Sequence, residues 1–368
     1  MNYYIRNECI FCKSSHLSPI NVGNYDFPVR ILSDTHETAK TIPYAIDTCE
    51  KCKSVQLKYL ANPDDVYAEN FAGNYGSIRG SMNDLFSSFI LENESVNTIC
   101  EIGAGNGSLA DDVLSKRDIP YTIVDPSYHG STQNRTCVTA YFDDAIDVQS
   151  NTIVMSHVFE HFYDPTNILS IFKKNKSIEF IYLSFPDLEA FIKQGTYHVL
   201  NPEHTFYVEN KFLEELFKFY GFLATRTFKH RNHSVFFEFK RSEESPGCVF
   251  PTNIDTFADV KAFFERMNNN ILAINSIISE TSRPVYIWPC AMPSSFPLYL
   301  GLEKSKIVGV LDNSPFKFGK YLYGTNLKCI PFENTLASDT SNIVLLSGGC
   351  YNSEITEGKY PNSKFYII

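Results

Sequence analysis

The chain lacks three features that would assign it at once to a common class of protein. None of its apolar runs approaches the length of about 20 residues that spans a bilayer. The first residues, MNYYIRNECIFC, lack the apolar stretch of a secretory signal. Basic residues are not in excess, since 32 Lys and Arg face 42 Asp and Glu for a net charge of −10, which argues against binding to a nucleic-acid backbone. These absences predict a soluble, cytoplasmic protein that engages neither membranes nor nucleic acids.

Cysteine is too scarce for a disulfide scaffold, with ten residues in 368. Four of the ten nevertheless form two C-x2-C pairs, Cys9 with Cys12 and Cys49 with Cys52. Two such pairs complete a tetrahedral set of four sulfurs, which suits zinc and leaves no open position for a substrate. We therefore expect a structural Zn²⁺ in a small domain over residues 1–66. The alternative is a group of unligated buried thiols or a redox pair.

A glycine-rich turn follows the first strongly apolar strand pattern, at residues 96–102. The sequence E-I-G-A-G-N-G places Glu101 before Gly103 and Gly105, and a helical pattern follows. Glycine lets a backbone approach a ligand closely, where a Cβ atom would clash. The next predicted strand ends in Asp125, a carboxylate placed to accept hydrogen bonds from ribose hydroxyls. The glycine spacing alone does not identify the cofactor.

A third motif discriminates between cofactors. The fourth predicted strand is followed by V-x-E-H at residues 158–161 and by D-P at residues 164–165. Together the motifs resemble those of class I S-adenosylmethionine (SAM) methyltransferases. The resemblance implies a Rossmann-like core over residues 67–245 that binds SAM, with Glu101 and Gly103 beside its methionine part and Asp125 on its ribose.

The same resemblance implies further contacts to the cofactor. Tyr141, Phe142 and Asp143 would approach the adenine, although ordinary core packing explains Tyr141 and Phe142 equally well. His157 would line the cleft or simply pack at the end of its strand. A covering segment would contribute Tyr75, Ser77 and Ser81, for which the serines have helix capping as the alternative.

The segment after the fifth predicted strand should hold the acceptor chemistry. Its E-H-x-x-Y sequence, with Glu203 and His204, resembles the acceptor site of sugar-nucleotide C-methyltransferases, in which the histidine is the favoured general base. Methylation of carbon requires removal of a proton α to a ketone, and histidine titrates close enough to neutral pH to take it. Glu203 is an acidic neighbour that need not touch His204. His161 either steadies the enolate oxygen or begins a helix.

The last part of the chain predicts a linker helix and then a parallel sheet, because strand and helix patterns alternate there. Residues 310–319 resemble a motif in the C-terminal domain of the same C-methyltransferases. This resemblance implies a Rossmann-like, substrate-binding domain over residues 254–368. One departure is the stretch His230–Val235, where the family carries H-G-G-S-x-R.

The sequence as a whole predicts an α/β protein with a Rossmann-like class I methyltransferase core, a small four-cysteine zinc domain and a C-terminal Rossmann-like domain. The predicted activity is SAM-dependent C-methylation of a nucleotide-linked sugar through an enolate. The alternatives are O- or N-methylation of a related small molecule, or a non-catalytic SAM-binding partner in a glycan pathway. The oligomeric state is expected to be a monomer or a homodimer.

Overall fold

A computed structural model describes residues 3–67, 77–196, 200–242, 250–252, 256–336, 341–349, 352, 360 and 362–368. Tyr75 lies outside the described residues, and the side chain of Ser77 is not described either. Among the helices within these ranges, none is long and apolar enough to cross a membrane.

The N-terminal region is built from short antiparallel strands. Its elements are β1 (Tyr3–Ile5), β2 (Leu17–Pro28), β3 (Leu32–Ser33), β4 (Thr41–Cys49), β5 (Val55–Leu57), β6 (Tyr59–Ala61) and the short helix α1 (Pro63–Tyr67). Burial alternates along the first six residues of strand β4, with Ile42, Tyr44 and Ile46 buried on one face. It pairs with β2 on one side and with β5 on the other.

The central region is a seven-stranded sheet with helices between its strands. Its elements are α2 (Ser77–Leu91), β7 (Ile99–Ile102), α3 (Ser108–Lys116), β8 (Tyr121–Val124), β9 (Thr136–Val138), β10 (Thr152–Ser156), α4 (Pro165–Lys174), β11 (Phe180–Pro186), α5 (Leu188–Gln194), β12 (Phe206–Tyr207), α6 (Asn210–Phe219), β13 (Phe222–His230) and β14 (Ser234–Arg241). All of these strands except β12 belong to the sheet, in the order β13-β14-β11-β10-β7-β8-β9. Strand β14 is antiparallel to both of its neighbours, whereas the other pairs are parallel.

The order of this sheet locates its crevice. The chain runs outward from β7 to β8 and β9, and then returns to place β10 on the other side of β7. Ligands of open α/β sheets bind at such a reversal, beyond the carboxyl ends of the strands. The glycine-rich turn follows β7 and the V-x-E-H motif follows β10, so both motifs meet at this crevice.

The C-terminal region begins with the long helix α7 (Thr256–Glu280), as predicted. Strands and helices then alternate: β15 (Val285–Trp288), α8 (Met292–Tyr299), β16 (Ile307–Asp312), β17 (Tyr321–Leu322), β18 (Cys329–Pro331), α9 (Phe332–Leu336), β19 (Ile343–Leu346) and β20 (Lys364–Ile367). Five strands form a parallel sheet in the order β18-β16-β15-β19-β20. The α/β architecture predicted from the alternation is therefore confirmed.

The three regions share their apolar cores. Phe27 and Tyr44 of the N-terminal strands pack in one cluster with Phe264 of α7 and Phe296 of α8, and the rings of Phe27 and Phe296 lie 4.4 Å apart. Strand β12, which lies outside the central sheet, pairs with β5 of the N-terminal strands. The N-terminal strands are thus integrated into the rest of the molecule.

Candidate active site and metal centre

The glycine-rich turn after β7 can be made only by glycine at its first position. Gly103 has φ = +72°, a conformation that L side chains rarely adopt. A Cβ atom placed on Gly103 would lie 2.5 Å from Cγ2 of Val158, the first residue of the V-x-E-H motif. The turn and the motif are therefore packed directly against each other.

Asp125 is fixed at the end of β8 by backbone groups. Its Oδ2 accepts a hydrogen bond from the amide of Gly105 at 2.8 Å, and its Oδ1 accepts one from the amide of Ser127 at 2.8 Å. Each carboxylate oxygen retains capacity to accept another hydrogen bond. The glycine turn and the predicted ribose-binding carboxylate therefore form one unit.

Glu101 is a buried carboxylate inside β7, only 2% exposed. The hydroxyl of Tyr121 donates a hydrogen bond to its Oε2 at 2.8 Å. Burial raises the pKa of Glu101 to about 7, with the Tyr121 hydrogen bond opposing the rise and the nearby Asp125 adding to it. An adjacent cation would favour the ionised form, since it would compensate for the lost hydration.

The residues predicted to approach the adenine fall in different environments. Tyr141 is 47% exposed, its hydroxyl donates to Oδ1 of Asp64 at 3.0 Å, and burial together with Asp64 and Asp125 raises its pKa to about 12. Phe142 packs in the core against Phe172 at 5.7 Å. Asp143 is exposed and accepts a hydrogen bond from the amide of residue 145.

Ser81, predicted to lie in the segment that covers the cofactor, is half-buried in α2.

The carboxyl end of β10 carries a cluster of histidines around one carboxylate. Glu160 lies in a short 3-10 turn, Phe159–His161, and is 1% exposed. Its Oε1 lies 3.2 Å from Nδ1 of His157 and 3.9 Å from Nε2 of His204. Burial would raise the pKa of Glu160, but the imidazoles of these two histidines and of His161 lower it to about 2.

The structure brings together the predicted catalytic histidines but pairs them with an unpredicted residue. The rings of His161 and His204 lie 4.9 Å apart, edge to face. The carboxylate facing His204 belongs to Glu160, to which the V-x-E-H pattern assigns no role of its own. Burial raises the pKa of Glu203 to about 7, and its amide is held by Oδ1 of Asn201 at 2.8 Å.

The segment that carries His204 is anchored to the N-terminal strands. The Arg6 guanidinium donates hydrogen bonds to the carbonyl oxygens of Thr205 and, at 3.0 Å, of Tyr163. The amide of Thr205 donates to the carbonyl of Glu160 at 2.8 Å. These bonds, with the pairing of β12 and β5, fix the backbone beside His204.

The four cysteines of the two C-x2-C pairs converge as predicted. Their sulfurs all lie within 4.8 Å of one another, with Cys9 to Cys52 and Cys12 to Cys49 each at 3.5 Å. The residues after the second cysteine of each pair, Lys13 and Lys53, have φ near +60°. The two turns thus share one geometry, and their sulfurs form a candidate metal site.

A second group of possible ligands is less suited to a metal. Glu160, His161 and His204 also place one ligand atom each within 4.8 Å of the others. The carboxylate of Glu160, however, already faces the imidazole of His157. We do not count this group among the metal ligands.

Comparison with known proteins identifies the central region. Residues 76–226 match the family model described as a methyltransferase domain. This region is a methyltransferase domain. The prediction that the chain is a SAM-dependent methyltransferase is thereby confirmed at the level of the enzyme class. No curated protein matches the chain.

Solved structures similar to this methyltransferase include enzymes that act on unrelated small molecules. One is the magnesium protoporphyrin IX methyltransferase of Synechocystis with bound SAH (16% identity, 46% of this chain and 90% of that chain, TM-score 0.35). Another is the 1,6-didemethyltoxoflavin-N1-methyltransferase of Burkholderia thailandensis (12% identity, 54% and 96%, TM-score 0.37). A third is a putative sarcosine dimethylglycine methyltransferase of Galdieria sulphuraria (11% identity, 45% and 87%, TM-score 0.35).

Proposed function

We propose that this methyltransferase transfers a methyl group from SAM to carbon of a nucleotide-linked sugar, with His204 as the general base. The observation that carries the proposal is the approach of His204 and His161 to one buried carboxylate, that of Glu160, at the carboxyl end of β10. This cluster lies beside the crevice that the glycine turn lines. The proposal extends the established enzyme class to an acceptor and a mechanism.

The cofactor would occupy the crevice between β7 and β10. Asp125 would accept hydrogen bonds from the ribose, because its two oxygens are already oriented by Gly105 and Ser127. Glu101 and Gly103 would face the methionine part, where a positive charge would keep Glu101 ionised. SAM, when bound, supplies an electrophilic methyl group.

The chain's own part in the reaction is proton transfer from the acceptor. His204 would take the proton from the carbon α to a ketone, and the electron pair left behind would form the enolate that receives the methyl group. The proton would stay on the imidazole until it leaves to solvent. His161, if protonated, would donate a hydrogen bond to the enolate oxygen.

A hydroxyl or amine acceptor is the alternative within the same class. His204 would serve O-methylation equally well, because a hydroxyl must also lose a proton. The stretch His230–Val235 departs from the family's H-G-G-S-x-R, so the family's substrate does not carry over directly to this chain. A non-catalytic, SAM-binding role is a further alternative, which the chemistry-bearing cluster around Glu160 disfavours.

For the four cysteines we propose a structural zinc ion. Cys9, Cys12, Cys49 and Cys52 supply only sulfur, and four thiolates leave no position for a substrate. The metal would then stabilise the N-terminal strands that anchor the segment around His204.

The proposed activity can be tested with purified protein, SAM and a panel of nucleotide-linked keto sugars, with methyl addition read by mass spectrometry. We expect His204→Ala to lower turnover by about 10²- to 10⁴-fold, the usual contribution of a general base. His36→Ala, which changes an exposed histidine of the N-terminal region, is the matched control. Turnover near wild type in His204→Ala would contradict the assigned base.

The accepting atom is tested separately. Enolate chemistry predicts that the protein exchanges the α-hydrogen of the sugar for deuterium from D₂O, and that this exchange is lost in His204→Ala. If the methyl group is added without any exchange, and NMR places it on oxygen or nitrogen, then the accepting atom is oxygen or nitrogen and not carbon.

A further inference from the structure

We propose that Glu160, which lies against His157 and through it near Ser234, is a positioning residue that acts through His204 by stabilising its protonated form. This inference rests on the proposed function, because it concerns the base assigned there. It adds three residues whose part in the reaction the motif does not specify.

The first observation is that both ring nitrogens of His157 face a polar group. Its Nε2 lies 2.8 Å from Oγ of Ser234, and its Nδ1 lies 3.2 Å from Oε1 of Glu160. The same hydroxyl lies 2.6 Å from Nδ1 of His233. A neutral imidazole has one N–H and one acceptor nitrogen, so the Ser234 contact can set which nitrogen of His157 carries the proton facing Glu160.

The backbone of His157 is held just as firmly. It has φ = +54°, which is uncommon for a residue other than glycine. Its amide donates a hydrogen bond to the carbonyl of Ser184, at the end of β11, at 2.9 Å. Unusual backbone conformations of this kind persist where the surroundings fix them, and they concentrate at functional sites.

The second observation concerns the charge of Glu160. Among the described residues, the titratable groups that lie against its carboxylate are the imidazoles of His157, His161 and His204. An ionised carboxylate that is 1% exposed needs compensation from partners of opposite charge or hydrogen-bond donors. The carboxylate is therefore placed to stabilise a positive charge that forms on one of these histidines.

The third observation is the position of His204. Its Nε2 lies 3.9 Å from the same Oε1 that faces His157. When His204 accepts a proton from the acceptor, the pair becomes an imidazolium beside a carboxylate, and Glu160 itself gains or loses no proton. The effect of Glu160 is to raise the basicity of His204, since an opposite charge at this distance favours the protonated imidazole.

The experiment compares the pH dependence of turnover in Glu160→Gln and in the wild type. The general base must be neutral to act. Removal of the carboxylate should lower the pH at which the imidazole of His204 loses its proton. We expect turnover in Glu160→Gln to fall by about 10- to 100-fold, as for other supporting carboxylates. The acid limb of its turnover–pH profile should move to lower pH by about one unit. Affinity for SAM, measured by calorimetry, should stay within about twofold, because Asp125 and Glu101 are unchanged.

Two further variants separate positioning from a purely structural role. Glu160→Asp keeps the charge, so its acid limb should return toward that of the wild type. Glu238→Gln is the matched control, because Glu238 is a buried carboxylate on β14 that is engaged by Tyr182 and Arg226 instead of by histidine. It should lower stability without moving the pH profile. If Glu160→Gln does not fold, His157→Gln takes its place, because it changes the side chain that lies against Glu160. It should move the acid limb of the turnover–pH profile in the same direction, by less than one pH unit.

The outcomes distinguish this inference from the proposed function. If His204→Ala is inactive and Glu160→Gln has the wild-type pH profile, the positioning role is wrong and the assignment of the base stands. If His204→Ala is fully active, both fail. A shift of the acid limb in Glu160→Gln that Glu160→Asp reverses supports the positioning role.

Discussion

Glu101 offers a direct test of the conflict between stability and cofactor binding at this site. Its carboxylate is 2% exposed, and burial raises its pKa from 4.5 to about 7. A raised carboxyl pKa means that ionisation is harder in the folded than in the unfolded protein. The folded state is therefore penalised progressively as pH rises above 4.5, and the penalty is nearly complete above pH 7.

The size of this penalty follows from the shift of the pKa. One pKa unit corresponds to about 1.4 kcal/mol, so the free energy of unfolding is lowered by about 3 kcal/mol at pH 8 and by about 1 kcal/mol at pH 5.5. Glu101→Gln removes the charge and keeps an oxygen that can accept the hydrogen bond from Tyr121. We therefore expect this variant to be more stable than the wild type at both pH values, with the larger gain at pH 8.

Urea unfolding at both pH values measures the difference, with Glu94→Gln as the control because Glu94 is exposed. Calorimetry with SAM on the same samples should show weaker binding by Glu101→Gln if, as proposed, this carboxylate faces the cofactor's positive charge. A variant less stable than the wild type at pH 8 would refute the reasoning about Glu101, because it would mean that the carboxylate stabilises the fold.

Two further predictions concern the glycine turn and the cysteines. Gly103→Ala should lower the free energy of unfolding by about 2–4 kcal/mol, from the positive φ and from the clash with Val158. The double variant Gly103→Ala, Val158→Ala should recover only the part of this free energy that the clash costs. Equal losses of unfolding free energy in the single and the double variant would contradict the packing of Val158 against Gly103. Cys49→Ser should lower the zinc content below the one ion per chain that we expect for the wild type. The control is Cys137→Ser, which changes a half-buried cysteine outside the cluster and should leave the zinc content unchanged. Zinc is measured by atomic absorption on protein purified without chelator. Equal metal content in both variants would exclude the four-sulfur site.

The glycine turn, Asp125 and the cysteine pairs could be predicted from the sequence because each is a local pattern. A turn that needs a positive φ requires glycine, and a C-x2-C turn brings two sulfurs together within four residues. Phe142 shows the limit of such reasoning, since adjacent residues of one loop had core packing and cofactor contact as equal alternatives. The structure places Phe142 in the core against Phe172.

The contact between Glu160 and His204 could not be read from the sequence. Glu203 is the covalent neighbour of His204, but the side chain that faces the histidine comes from the turn after β10. The two are brought together only because the chain passes through β11 and α5 and then pairs β12 with β5. The signal available in the sequence was the place of Glu160 in the V-x-E-H motif.

If Asp125 and His204 act as we propose, the bond between Arg6 and the backbone at Thr205 separates binding of the methyl donor from the transfer step. The crevice with Asp125 belongs to the central sheet, whereas the loop that presents His204 depends on a guanidinium and a strand contributed from far away in the chain. Loosening the amino-terminal strands would leave a protein that still loads its donor yet turns it over slowly. With His204 as the proposed base, this arrangement lets the amino-terminal strands affect the reaction rate through the loop that carries it.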